Sequence, residues 1–272
     1  MTITPLDAST VVLMRAGPQG NDSGFEVLLV RRSSKSAFVP SAYVFPGGKV
    51  EPDDCLPEMA NYCRKKDLIK SISFLDGVPS AQSALGILTA AIRETFEEAG
   101  ILLARRENGN PASFDKNIEG QLLSYRTDLN RSKLKFLDLL KKENLVLAVE
   151  RLHYFSRWIT PELSPLRFDA RFFIAEVPEG QKAFHDGDEV TKHIWITPAQ
   201  ALQRYSQRKI YMVAPTVVTL EELSRFKTIE EVITSTKGKK VKEVLTRLVF
   251  ENDEIQEHTP DGRIFRNLFS AN

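Results

Sequence analysis

Apolar positions along the chain fall in two kinds of pattern, short continuous runs and a spaced repeat. Residues 10–14 and 26–32 are short, largely apolar runs that read as strands. The polar stretch GPQGNDSG (17–24) between them reads as a loop of turn formers. Over residues 83–99 the pattern changes. Leu85, Leu88, Ile92, Phe96 and Ala99 recur at three- and four-residue steps, which predicts a helix with one apolar face and Gly100 as its stop. Two further helices are predicted over 115–123 and 134–140, and strands over 152–160, 171–177 and 192–197. Pro198 opens a helix through residue 205, where its missing N–H is harmless, and residues 217–225 read as helical too. Strands and helices mix without a strict βαβ rhythm. That predicts an α/β chain with a mixed sheet and helices on its faces, not a doubly wound fold.

The 272 residues hold 37 Lys plus Arg against 36 Asp plus Glu, a net charge of +1. This balance points to no nucleic-acid or membrane partner. No apolar run reaches bilayer length, the first residues lack a secretory pattern, and two cysteines suggest no disulfide framework. The expected compartment is the cytoplasm. The lysine-rich piece TKGKKVK (236–242) reads as a solvated turn or helix end. The four histidines show no zinc-ligand spacing.

The polar face of the helix over 83–99 carries the chemistry. At about 100° per residue, Glu94, Glu97 and Glu98 share one stripe roughly opposite the apolar positions. Like charges so spaced repel by roughly 0.2–0.5 kcal/mol per pair, and Glu97 and Glu98 sit in the last turn, where the helix dipole disfavours anions. A hard divalent cation such as Mg²⁺ would remove that cost. Arg93 lies beside Glu97 and can hold a carboxylate by a two-pronged contact. The plain alternative is an acidic, solvated helix face. Upstream, Phe45-Pro46-Gly47-Gly48 follows a strand-like segment, and its glycines let the backbone approach a ligand closely.

Together the two stretches resemble the Nudix box: a glycine, five residues, an acid, seven residues, then Arg-Glu-apolar-x-Glu-Glu-x-Gly-apolar. Gly48 and Asp54 stand in the first half, Asp54 where the family carries glutamate. Arg93, Glu94, Glu97, Glu98, Gly100 and Ile101 match the second half, with Thr95 in place of an apolar residue. The spacer has 38 residues instead of seven. Loop closure costs only about 0.6 kcal/mol per doubling of length, so an insertion over about 55–84 that loops outward is tolerable. It is expected to stand apart from the catalytic centre and to hold a short helix at 57–65. With the insertion starting directly after it, Asp54 is the box residue least expected to reach the helix.

Residues 28–48 resemble the coenzyme A signature of some Nudix pyrophosphatases. Leu28, Leu29, Arg32, Ser33 and Phe45 to Gly48 match, while Val30, Ala37 and Ser41 replace its threonine, second arginine and glycine. The divided box, the phrases at 158–162 and 167–173, and a C-terminal extension over about 214–272, expected to be helical, resemble a subgroup that includes the peroxisomal CoA diphosphatase of animals. The resemblance implies a Nudix α/β/α sandwich in one domain over 1–272 that hydrolyses a pyrophosphate bond in a nucleoside diphosphate derivative. It implies Glu94, Glu97 and Glu98, with the Gly48 carbonyl, as ligands of Mg²⁺ or Mn²⁺. Glu98 or Glu189 would be the base for the attacking water, and Asp188 is a second acid before the same strand. Arg93 would belong to the catalytic set, and Arg32, Gly47 and Gly48 would bind substrate. CoA or acyl-CoA is the expected substrate, with an ADP-sugar, NADH or a dinucleotide as alternatives. A nucleotide-sensing module without catalysis is the reading from another class. Such modules often lack the carboxylate set that is complete here.

Overall fold

The computed structural model of the chain describes residues 3–17, 24–36, 38–106, 116–185, 187–251 and 254–266. In chain order the strands and helices begin with β1 (Leu6–Ala16), β2 (Phe25–Arg32), β3 (Tyr43–Val44), β4 (Gly47–Lys49), α1 (Lys65–Ser73) and α2 (Ala81–Ala99). Then follow β5 (Ala104–Arg106), α3 (Lys116–Asn130), α4 (Phe136–Glu143), β6 (Leu145–Leu147), β7 (His153–Ile159), β8 (Phe168–Glu176) and β9 (Val190–Ile196). The chain continues through α5 (Pro198–Ser206), α6 (Ala214–Leu223), α7 (Ile229–Thr236), β10 (Glu243–Leu245), β11 (Arg247–Glu251), β12 (Glu254–His258) and β13 (Ile264–Arg266). The expected elements are present, most of them within a few residues of the predicted bounds. The expected 17–24 loop falls largely outside the described residues, as do Asp115 and Ala37.

The main sheet runs β10-β7-β8-β1-β2-β3, with β4 also on β1 and β9 also on β2. β1 pairs with β8 in parallel and β10 with β7 in parallel, while the other pairs of this sheet are antiparallel. This is the mixed sheet expected from the pattern. Successive side chains of a strand point to opposite faces, so Val11, Leu13, Leu28 and Val30 enter one core cluster, with α2. Val12, Met14, Val27 and Leu29 enter the other, with α5 and α6. Both faces are covered, which is why β1 and β2 read as near-continuous apolar runs.

The insertion corrects the expectation of an outward loop. Residues Pro52–Cys55 and Pro57–Tyr62 form 3₁₀ turns, so the helix expected at 57–65 is a 3₁₀ stretch followed by α1. Met59, Cys63, Leu68 and Leu75 are buried in the same cluster as α2. Ser71 donates to the Val149 carbonyl at 3.2 Å. The segment has enough apolar surface to seat itself on α2, and that burial holds it against the body. The C-terminal extension is likewise not all helix. After α7 it turns, with the lysines exposed as expected, and then forms strands. β11, β12 and β13 make an antiparallel sheet whose last turn carries Asp261-Gly262, with Gly262 at φ 85°. Among the described residues no helix is long and apolar enough to cross a membrane.

Candidate active site

α2 has a defined start and stop. The Ser80 hydroxyl accepts from the Ser83 N–H, and Gly100 closes the other end at φ 70° with its N–H on the Phe96 carbonyl. The helix is locked to the sheet by Ser9, whose hydroxyl donates to the Ile87 carbonyl at 2.6 Å. Thr95 is fully buried and returns its hydroxyl to the Ala91 carbonyl, which satisfies the polar atom that replaces an apolar one. Arg126 of α3 donates to the Glu97 carbonyl at 2.6 Å and to the Phe184 carbonyl at 2.8 Å, placing a cation at the carbonyl end of α2.

Two glycines let β4 lie close to its neighbours, Gly47 against β1 and Gly48 against this helix. A Cβ at Gly47 would stand 2.2 Å from the Ser9 carbonyl oxygen, and one at Gly48 would stand 2.5 Å from the Glu94 carboxylate. Only glycine allows the approach at Gly47, where the neighbour is backbone, whereas at Gly48 the neighbour is the end of a side chain. Arg93 then joins the two halves of the box, using all five guanidinium N–H groups. Nε and Nη2 donate to the two Asp54 oxygens at 2.9 and 2.8 Å. Nη2 also reaches the Lys49 carbonyl at 3.0 Å. Nη1 donates to Glu94 and Glu97, each at 2.8 Å. Asp54, 1% exposed, therefore does reach the helix, against expectation. The 3₁₀ turn Pro52–Cys55 folds back at once, so the insertion begins beyond the acid without carrying it off.

The expected carboxylates are brought together, but not on a solvated face. Glu98 is 3% exposed, and its Oε2 accepts from the Gly47 N–H at 2.9 Å. Burial, then the neighbouring Glu94 charge, raises the Glu98 carboxyl well above its ordinary value, against the pull of Arg32. Burial pushes Glu94 up to about 7, opposed first by Arg93, and also raises Glu97. Arg32 lies with Nη1 3.8 Å from Glu98 and Nη2 3.6 Å from Glu189. Its Nε and Nη2 also hold the following loop through Ser36 and the Phe38 carbonyl. Glu189 precedes β9 as expected. It and Asp188 line a cleft of about 1880 Å³ together with Arg32, Gly47, Gly48, Glu94, Glu97 and Glu98.

The donor set suits a divalent cation. Four carboxylates, Asp54, Glu94, Glu97 and Glu98, stand against the two arginines Arg32 and Arg93, and burial first of all raises the carboxyls of Glu94 and Glu98, a cost that a cation would relieve. Among the described residues no three His, Cys, Asp or Glu side chains stand in a ready-made ligand arrangement. Glu94 and Glu97 each turn one oxygen to Arg93. Sequence reasoning underrated Asp54 and missed Arg126. Box spacing marked the first, while nothing in the periodicity of α3 marks the second.

The sequence model of the NUDT19 Nudix domain matches residues 6–75 and 76–225. The chain is 32% identical to the acyl-coenzyme A diphosphatase NUDT19 of Xenopus laevis over 240 residues, 78% of this chain and 63% of that one. It is 24% identical to the human protein of the same description over 235 residues, 76% of this chain and 63% of the relative. The chain thus spans under two thirds of the length of these two relatives. A crystal structure of a NUDIX hydrolase from Alicyclobacillus acidocaldarius superposes with a TM-score of 0.69 at 26% identity, covering 85% of this chain and 96% of that one.

Proposed function

The chain belongs to the NUDT19 Nudix family, and from that premise we propose that it hydrolyses the diphosphate linkage of coenzyme A or an acyl-coenzyme A. The observation that carries the hydrolytic reading is the set of carboxylates from α2 gathered around Gly47 and Gly48 at one cleft. A nucleotide-sensing module would not need them. The substrate class is supported by the description of the Xenopus and human relatives as acyl-coenzyme A diphosphatases. ADP-sugars, NADH and dinucleotides are the competing substrates.

Glu94, Glu97 and Glu98, with the Gly48 carbonyl, would hold Mg²⁺ or Mn²⁺. When bound, the ion supplies charge neutralisation at phosphorus and a more acidic water. Arg93 holds Asp54, Glu94 and Glu97 in register, so the carboxylates do not scatter under their own repulsion. Arg32 offers a planar set of donors to a substrate phosphate from its place between Glu98 and Glu189. Glu189, 62% exposed at its side chain, accepts the proton of the attacking water, with Glu98 as the other candidate base. Water adds to phosphorus, the bridging P–O bond breaks, and the second phosphate leaves with that oxygen. The substrate is a free nucleotide and not a nucleic acid. The compartment is the cytoplasm, a reading supported by the unpaired Cys55 and Cys63.

The test follows both products of CoA, ADP-ribose and NADH with Mg²⁺, with Mn²⁺ and with EDTA. CoA should give 3′,5′-ADP and phosphopantetheine, EDTA should abolish turnover, and Glu98→Gln should slow it by about 100-fold or more. Faster turnover of ADP-ribose or NADH overturns the substrate, and undiminished turnover in EDTA overturns the metal.

A further inference from the structure

The same cleft is also lined by Thr246, Leu248, Ile255 and Glu257 of the C-terminal extension, all beyond the stretch matched by the Nudix family. Glu257 is 8% exposed and Thr246 2%. The Thr246 hydroxyl donates to Glu257 Oε1 at 2.6 Å. Among the described residues no lysine or arginine pairs with this carboxylate. Burial raises Glu257 above the ordinary carboxyl range, with Thr246 pulling it back in part. The Tyr211 phenol is raised first by burial and then by the charge of Glu257. Trp158 and Phe172 add apolar wall to the cleft.

A buried carboxyl beside a cavity is expensive unless something donates to it. The hydroxyl of Thr246 occupies one oxygen and so determines which atom turns to a ligand. The donor that fits is neutral, because burial among apolar walls disfavours charge on either partner and keeps the carboxyl towards its uncharged form. It is attached to a flat group, because the walls are aromatic and aliphatic. Glu257 retains an acceptor oxygen whether or not it is protonated. Resting on the hydrolase reading above, we infer that Glu257, positioned by Thr246, recognises the exocyclic amino group of the substrate's purine base. The C-terminal sheet thereby makes the enzyme selective for adenine over hypoxanthine.

The probes are AMP and IMP, which differ in having an amino group or a carbonyl at this place. Binding of each to the full-length chain is measured by calorimetry. The wild type should bind AMP about tenfold or more tightly than IMP. Glu257→Gln, with Thr246 still donating to its carbonyl, turns an N–H donor to the ligand and should remove or reverse that ratio. Thr246→Val should reduce the ratio and Thr246→Ser should restore it, which a merely structural role would not do. Thermal melts identify any variant that fails to fold, and the wild-type ratio stands as a test without them. Equal affinity of the wild type for AMP and IMP, absent binding included, overturns the proposal. So does a folded Glu257→Gln protein that keeps the wild-type preference. A wild type that fails to hydrolyse CoA but retains the AMP preference would sink the hydrolase reading and leave this one standing.

Discussion

At the scale of single residues, Arg93 holds the site together. A carboxylate 1% exposed, Asp54, is balanced by two parallel N–H bonds, and the remaining donors are divided between Lys49, Glu94 and Glu97. An ammonium is a compact point charge and cannot span both oxygens of Asp54 while reaching two glutamates. Arg93→Lys should therefore lower stability by roughly 3 kcal/mol, near the range for a buried pair that loses a partner. Urea unfolding measures it, and a loss under about 1 kcal/mol would show that water already relieves the Asp54 charge. The sequence marked Arg93 as a clamp, but it could not show which carboxylate takes the two-pronged bond. That partner is set by the path of the chain between residues 54 and 93.

Among the elements, β4 lies so close to β1 on one side and to α2 on the other that its adjacent glycines have different jobs. A Cβ at Gly47 meets backbone, the Ser9 carbonyl oxygen at 2.2 Å and Thr10 Cα at 2.7 Å, neither of which can rotate away. A Cβ at Gly48 meets the Glu94 carboxylate, the movable end of a side chain. Gly47→Ala should thus cost stability, by about 1–3 kcal/mol, as in overpacking generally. Gly48→Ala should leave the melting temperature nearly unchanged yet depress turnover by displacing Glu94. Paired melts and rate measurements separate the two, and equal effects of both substitutions on stability would contradict the geometry. The glycine pair was legible in the sequence as a place of close approach. What Gly47 approaches depends on the β1–β4 register, Thr10 against Gly47 and Ser9 against Gly48, and what Gly48 approaches depends on the packing of α2 over β4.

At the scale of the whole molecule, the sheet, α2 and the insertion together remove the carboxylates from water. The sign of the pH effect follows. Glu94 is raised to about 7 and Glu98 is raised well above the ordinary value, so in the metal-free protein both favour the protonated form. The contribution of Glu94 to stability is fully present below about 4.5 and is lost as pH rises through about 7, and that of Glu98 is lost in the same direction. The lowered His153 and His193 oppose this trend, being charged at greater cost when the protein is acidified. They affect metal-free and metal-loaded protein alike, so the informative quantity is the difference between the two. The rise in melting temperature on adding Mg²⁺ should be small at pH 5 and larger at pH 8. A hundredfold excess over the dissociation constant adds about 2.7 kcal/mol at full site ionisation. An increment that is flat or falls with pH would rule out these carboxylates as the ligands.

The order of residues alone settles the two sets of elements and the chemistry of the helix. Short, nearly continuous apolar runs made β1 and β2, a three-to-four spacing made α2, and the same spacing placed Glu94, Glu97 and Glu98 on one stripe. These are local properties, set by backbone geometry within a few residues. It takes the folded chain to bring Asp54 to Arg93 and to pack the insertion on α2. The same is true of the strands that follow the helices of the extension and bring Glu257 to the cleft. Each of those results joins residues far apart in the chain. Loop closure depends so weakly on length that spacing cannot predict such meetings, and the burial that selects them belongs to the assembled molecule.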